Sequence, residues 1–292
     1  MTDKKAIERT SKEDFAELRK SDPSMRVYPA KLVCTESLIE VKDGTEILRE
    51  VKRKVRIVAC GNFALSDGEA TFSATPDITA LRTILRLAAF ARREGRQARV
   101  ASTDVSVAFL NAPLQTGYVV GITPPAVLVK MGLMDEGEVW LLSRALYGLR
   151  ESPRAWSLER DRVLQQLSFT WKGMTAWLEQ CKSEPGVWRI HVGTANEKRG
   201  SILRAASPFN DVEGEGLIVK GRAWIDRLDD ALSGLGENFG AKPELIGWVS
   251  AYVDDLLMVT WKDVDQGMGE TFPSDVLQEE VETRWKRGKT QI

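Results

Sequence analysis

The pattern of apolar and polar positions divides the chain into well-marked and poorly marked stretches. KLVCTESLIEVKDGTEILREVKRKVRIVACG, with its β-branched residues and its Asp43-Gly44 pair, predicts strands joined by a tight turn. ITALRTILRLAAFARREG follows, with Ile78, Leu81, Leu85 and Ala88 on one helical stripe and Gly95 as a stop. ARVASTDVSVAFL returns to strand character, which ends at Asp104 and is broken by NAP. YVVGITPP reads as a short strand closed by prolines, and VWLLSRALYGL as an apolar run. ESPRAWSLERDRVLQQL opens a helix, with Ser152 as cap and Pro153 at the first position. From 190 to 247, HVGTANEKRGS and NDVEGEG read as exposed loop, with RAWIDRLDDAL a helix between them. Two strands then follow, Val249 to Val253 and Leu256 to Trp261. SDVLQEEVETRWKRGK ends the chain as one amphipathic helix. Residues 1–26 are polar, and read as a short helix or a disordered arm. No internal repeat is visible.

Composition narrows the chemistry. The 292 residues, 43% of them apolar, suffice for one sizeable domain or two small ones. The formal net charge of -1 announces no polyanion binder, but such binding needs only a local basic surface. Basic residues do cluster, at Lys52, Arg53, Lys54 and Arg56 and again at Arg82, Arg86, Arg92, Arg93, Arg96 and Arg99. The latter read mostly as a solvated helix face. Cys34, Cys60 and Cys181 are scattered and His191 is the single histidine, which argues against a zinc site and against Cys-His or Ser-His catalysis. The cysteine usage suits a reducing compartment. The charged N-terminus lacks the apolar core of a signal peptide, and no apolar run approaches the ~20 residues of a membrane span. The expectation is an intracellular protein, cytoplasmic or nuclear, without membrane contact.

Three stretches carry chemistry. In WVSAYVDDLLMVTW, Asp254 and Asp255 sit together at a hairpin tip within apolar surroundings. They are either a solvated turn or a divalent-cation site, because hard cations take oxygen ligands and cancel the repulsion of adjacent carboxylates. Asp104 closes an apolar strand, and reads equally as a surface acid. Together the three acids could hold two Mg²⁺ ions ~3.5–4 Å apart, the arrangement of polymerases and nucleases. The third stretch, VWLLSRALYGLRESPRAW, sets Tyr147, Gly148, Arg150, Pro153 and Arg154 at a loop-to-helix junction, which is an ordinary junction or a backbone approach to a charged ligand.

The ordered blocks VRIVACG, TFSATPDITALRTIL, TDVSVAFLNAPL, VWLLSRALYGLRESPRAW and AYVDDLLMV resemble the reverse transcriptase of copia-type long-terminal-repeat retrotransposons, from about Arg53 to about Lys262. The resemblance implies an α+β fold, the fingers and palm of a right-hand polymerase, with a small antiparallel palm sheet backed by helices. It implies RNA-directed DNA synthesis with two Mg²⁺ ions, Mn²⁺ being able to substitute. Asp104 and Asp254 would be the main metal ligands, with Asp255 in support, and Tyr252 would open the Tyr-x-Asp-Asp box. Phe109 would be a steric gate against a ribose 2′-hydroxyl. Tyr147, Gly148 and Arg150 would border nucleotide and template, and Lys54 and Arg56 would meet the triphosphate.

The expected partners are an RNA or DNA template with primer, dNTPs, and another polyprotein segment supplying thumb and ribonuclease H. The domain plan that follows is a polar arm (1–26), fingers and first part of the palm (27–189), a loop-rich insertion (190–247), and the catalytic hairpin with a terminal helix (248–292). The spacing from Asp104 to Asp254 exceeds the family's. Cys60, where a basic residue is frequent, and Glu151, where glutamine is, also depart from its pattern. A catalytically silent remnant that at most binds nucleic acid is the alternative. An unrelated metal-dependent nuclease is a third reading, against which Phe109 and the Tyr147–Arg154 stretch argue.

Overall fold

The structure is a computed structural model that describes residues 6–43, 46–63, 71–195, 197–198, 243–264, 271–285 and 287–291, as main chain only at 41–43, 46–48 and 287–291. The chain is α+β and divides into two compact units. The first comprises Met1–Ser73 and Val107–Asp161, the second Ala74–Ser106 and Arg162–Ile292.

Among the described residues, the first unit holds a five-stranded sheet in the order β1-β6-β5-β2-β3. Its strands are β1 (Ile7–Thr10), β2 (Arg26–Asp43), β3 (Glu46–Ala59), β5 (Val120–Thr123) and β6 (Val139–Leu142). β2 and β3 pair antiparallel without a bulge from Ala30↔Ala59 to Asp43↔Glu46, as the Asp-Gly turn signal predicts. Beyond Pro29 no described strand joins β2 on its other edge, so the pair continues as a two-stranded ribbon. The core gathers Tyr28, Val120, Ile122, Trp140, Leu142, Leu146 and Leu149. Residues 7–10 of the polar arm form β1, which pairs with β6, and Lys12–Ser21 form helix α1, capped by Ser11. β1 is fastened by Arg9, which donates to both oxygens of buried Glu138, a carboxylate that also accepts from Trp140 Nε1 at 2.6 Å. These bonds, chiefly the one from Arg9, hold Glu138 down at about 2 from an ordinary 4.5.

Among the described residues, the second unit is built on a seven-stranded sheet, β12-β4-β11-β10-β9-β8-β7, in which every pairing is antiparallel. Its strands are β4 (Arg96–Val105), β7 (Ser168–Trp171), β8 (Met174–Gln180), β9 (Val187–Gly193), β10 (Glu244–Tyr252), β11 (Asp255–Asp263) and β12 (Arg287–Gln291). The expected small sheet is therefore a large one. Helix α2 (Ile78–Arg93) starts at Asp77, whose carboxylate accepts from Thr79 N, and Gly95 follows its end at φ 80. Its buried face is Ile84, Ala88 and Ala91, packed on Ala98, Val187, Val259 and Trp261, whereas Ile78 and Leu85 are exposed. Of the expected stripe Ile78, Leu81, Leu85 and Ala88, Ala88 is in the buried face, and small alanines that let the helix lie close on the sheet shift the rest of that face to Ile84 and Ala91.

Helix α6 (Pro273–Arg284) buries Leu277 and Val281, and its Asp275 accepts from Phe272 N and receives both bonds of Arg99 Nη1, at 2.7 and 2.8 Å. The expected terminal helix is thus followed by a strand, β12, on the outer edge of β4. His191 to Gly193, expected as exposed loop, are buried in β9 because β8 and β10 flank them. RAWIDRLDDAL and NDVEGEG lie outside the described residues. Trp140, Trp156 and Trp261 are buried, as expected of core residues, and Trp248 is half-buried.

Candidate active site

Asp104 is the next-to-last residue of β4, and the register sets it directly opposite Asp255, the first residue of β11. Asp255 in turn faces Tyr252 on β10. Directly opposed residues of antiparallel strands project from the same face, so Asp104, Asp255 and Tyr252 make one row. The next row on that face, two residues along, is Ser102, Leu257 and Ser250. Both rows line a single cavity of about 670 Å³, which Pro76, Ile78 and Leu81, at and just before the start of α2, also line. The exposed Ile78 thus belongs to the cavity wall rather than the core. Ser102 went unnoticed in the sequence, although the two-residue strand period places it beside Asp104.

Asp254 occupies the two-residue turn between β10 and β11. Its carbonyl accepts from Val105 N at 2.8 Å, which ties the turn to the end of β4. The preceding Val253 has φ 53, left-handed backbone that a β-branched residue adopts only under constraint, at a cost of about 1–3 kcal/mol. Sheet pairing on both sides supplies that constraint. Partial loss of solvent pushes the Asp255 carboxyl above its ordinary range, and the Asp254 charge pushes it further. Among the described residues, no three His, Cys, Asp or Glu side chains meet as a finished metal cage. Asp104 and Asp255 share the cavity, and Asp254 stands beside them in the turn. An all-oxygen donor set in which neighbouring like charges oppose ionisation fits a hard divalent cation, Mg²⁺ or Mn²⁺.

The first unit assembles a second group. Phe109 lies on the short helix α3 (Ala108–Asn111), which follows Val107 at φ 49. Its ring meets Tyr147 edge-on, with centroids 4.8 Å apart. The Arg56 guanidinium is 6.0 Å from the Tyr147 centroid, within the range of cation–π attraction. Tyr147 and Gly148 are stitched to the end of β3: Ala59 N donates to Tyr147 O at 2.8 Å, and Gly61 N to Gly148 O at 3.1 Å. The approach needs two glycines. A Cβ on Gly148, at φ 89, would stand 2.0 Å from Ala59 O, and one on Gly61 would stand 2.2 Å from Gly148 O. Gly61 was not recognised from sequence, and its one signal is a glycine directly after a strand.

Lys54 shares a face of β3 with Arg56, and Arg150 is exposed just past the Gly148 turn. Helix α5 (Ser152–Gln166) begins where expected, but the Ser152 hydroxyl donates to Leu146 O and accepts from Leu146 N, so it braces the preceding loop instead of capping the helix. Glu151 accepts from the Tyr118 hydroxyl at 2.9 Å, and Arg26 lies 3.7 Å over the Tyr118 ring. Desolvation, then the Glu151 bond, raises Tyr118 far above its ordinary value, so it stays the donor.

The model of the reverse transcriptase (RNA-dependent DNA polymerase) family matches residues 30–181, just over half of the chain. The chain belongs to this family, the copia-type reverse transcriptases. No curated protein matches it. The matched stretch of this reverse-transcriptase chain contains Lys54, Arg56, Asp104, Phe109, Tyr147, Gly148 and Arg150, and ends before Tyr252, Asp254 and Asp255. The pairing of the Tyr-Val-Asp-Asp hairpin with the strand of Asp104 therefore comes from the fold, independently of the family match. Among the described residues, no helix is long and apolar enough to cross a membrane.

Proposed function

We propose that this reverse-transcriptase domain adds dNTPs to a primer 3′-hydroxyl on an RNA or DNA template. The observation that carries the reading is the register of Asp104 against Asp255, which unites acids about 150 positions apart in the chain on one face of one cavity. In this reading the seven-stranded sheet is the palm and the β2–β3 ribbon belongs to the fingers. The insertion expected over 190–247 narrows to 194–243, between β9 and β10, and 1–26 is an arm that carries β1 and α1.

Asp104 and Asp254 would hold the cations, and Asp255, whose carboxyl resists ionisation, would support them. A bound pair of Mg²⁺ or Mn²⁺ ions would activate the 3′-hydroxyl and neutralise the departing pyrophosphate. Lys54 and Arg56 bind triphosphate oxygens, for which the guanidinium fork is well matched. Phe109, braced edge-on by Tyr147, blocks a 2′-hydroxyl. Tyr147, Gly148 and Arg150 border nucleotide and template, and Tyr252, exposed beside Asp255, faces the primer end. Little side-chain proton transfer is asked of the chain, because positioning and charge screening dominate phosphoryl transfer. The setting is intracellular, cytoplasmic or nuclear.

The test is primer extension with an RNA template, DNA primer, dNTPs and Mg²⁺ or Mn²⁺. Product that disappears in Asp104→Asn and in Asp254→Asn supports the enzyme. Folded protein that makes no product with either cation leaves the silent remnant as the correct reading.

A further inference from the structure

The core of the first unit continues outward along one face of the β2–β3 ribbon. Residues two apart on a strand share a face, and the register joins Ala30 to Ala59, Leu32 to Ile57, Cys34 to Val55, Glu36 to Arg53, Leu38 to Val51 and Glu40 to Arg49 on this one. Ala30 and Ala59 are buried in the core, and Ile57 packs against it. From Cys34 outward the apolar alternation persists but its cover does not. Val55, Leu38 and Val51 are 60, 73 and 52% exposed, and their neighbours on the face, Cys34, Glu36, Glu40, Arg49 and Arg53, are exposed as well. The pattern of a half-buried strand therefore runs beyond the surface that buries it. A two-stranded ribbon is marginally stable in water unless its apolar face packs on something.

The charges on this face match their own arrangement. β2 contributes both acids, Glu36 and Glu40, and β3 both bases, Arg53 and Arg49, with Leu38 and Val51 between the two charged rows. Within the ribbon Arg53 donates to Glu36 at 2.8 Å and Arg49 lies 3.6 Å from Glu40. A two-fold axis that runs along the ribbon, between two such faces, sets β2 of one copy over β3 of the other. Glu36 then faces the second copy's Arg53, Glu40 its Arg49, and Leu38 its Val51. An axis across the ribbon would instead set Glu36 over Glu40 and Arg49 over Arg53, and repulsion of like charges excludes it. Stacked sheets lie ~10 Å apart, a gap that a glutamate and an arginine span together.

We propose that this face of the ribbon is a contact between two copies of the chain, isologous, with its two-fold axis along the ribbon. Leu38, Val51 and Val55 supply its apolar centre, and the Glu36–Arg53 and Glu40–Arg49 rows fix its orientation. The proposal rests on the ribbon alone and is independent of the polymerase reading. The patch is about 20 Å long and two strands wide, below the ~800 Å² per partner of a standard interface, so the dimer is a weak one, with a Kd of about 1–100 µM.

The experiment is analytical ultracentrifugation of the full chain at low salt, where exposed charge pairs are least screened. The parent dimerises reversibly as its concentration rises to about 500 µM, and Leu38→Ser with Val51→Ser raises the Kd at least about tenfold. Two charge-reversed variants then test the orientation. Glu36→Arg with Glu40→Arg makes the face wholly basic, and Arg49→Glu with Arg53→Glu makes it wholly acidic. Each is monomeric alone, whereas an equimolar mixture, with one variant fluorescently labelled, forms dimers that contain one copy of each. That recovery also shows that both variants are folded. A parent that stays monomeric overturns the proposal. So does dimerisation of the serine variant or of either charge-reversed variant at the parent's Kd, which would place the contact on another surface. A mixture that stays monomeric overturns it as well, because opposite charges would then not meet across the two copies.

Discussion

Gly148→Ala tests the close approach that sets the Tyr147 turn against the end of β3. The new Cβ meets Ala59 O at 2.0 Å and the Val58 side chain at 2.7 Å, on backbone at φ 89. The left-handed conformation alone costs an alanine about 1–2 kcal/mol. Relieving contact with a backbone oxygen requires the turn and strand to separate by about 1 Å, which sacrifices the Ala59–Tyr147 and Gly61–Gly148 hydrogen bonds, each worth about 0.5–1.5 kcal/mol. The sum is about 2–5 kcal/mol. Gly95→Ala provides the internal standard, because Gly95 has φ 80 with nothing within 4 Å of its Cβ position, so only the backbone cost of about 1–2 kcal/mol applies. Urea unfolding followed by tryptophan fluorescence compares the two, and the Gly148 variant is the less stable by about 1–3 kcal/mol. Equal midpoints and equal slopes would show that the turn is not held by this contact, and the packing argument for Tyr147 and Gly148 would fall with it.

Two further perturbations probe the elements that carry the sites. Arg9→Met removes the partner that holds Glu138 at about 2, below its ordinary 4.5. A carboxyl depressed on folding stabilises fully above its unfolded value and loses that contribution as pH falls through the folded one. The variant is therefore less stable than the parent at pH 7 and converges with it near pH 2, which denaturant midpoints across that range would read; a constant difference over the range would refute the linkage. Asp275→Ala deletes both the bond from Phe272 N at the start of α6 and the two bonds from Arg99 on β4. The loss is about 1–3 kcal/mol, a fall in melting temperature of about 2–12 °C by calorimetry, and no change would mean that α6 docks through Leu277 and Val281 alone.

The sequence made local features visible where the physics is local. The Asp-Gly signal located the β2–β3 hairpin, Gly95 the end of α2, and the polar break after Asp104 the end of β4. It misled where long-range packing decides. Leu85 looked like core and is exposed, whereas Ala88 of the same stripe is buried together with Ile84 and Ala91, because a close helix–sheet contact favours small side chains. His191 to Gly193 read as loop from their Gly-rich continuation, but strands on both sides enclose them. Ser152 looked like a cap, and its hydroxyl is used by Leu146. For the candidate site, sequence spacing could nominate Asp104, Asp254 and Asp255 but not join them, since the register that does so pairs strands from distant parts of the chain. Gly61 acquires meaning only when Gly148 is seen against it.

The claim that those acids act as one cation-binding centre is tested most directly by Mn²⁺ titration of the full chain, read by the electron-paramagnetic-resonance signal of free Mn²⁺. The account predicts saturable binding that is weakened at least about tenfold in Asp104→Asn and likewise in Asp254→Asn, because acids from β4 and from the hairpin hold the same ions. Binding that survives unchanged in either variant would contradict it, and would leave the two strands as neighbours without a shared chemistry.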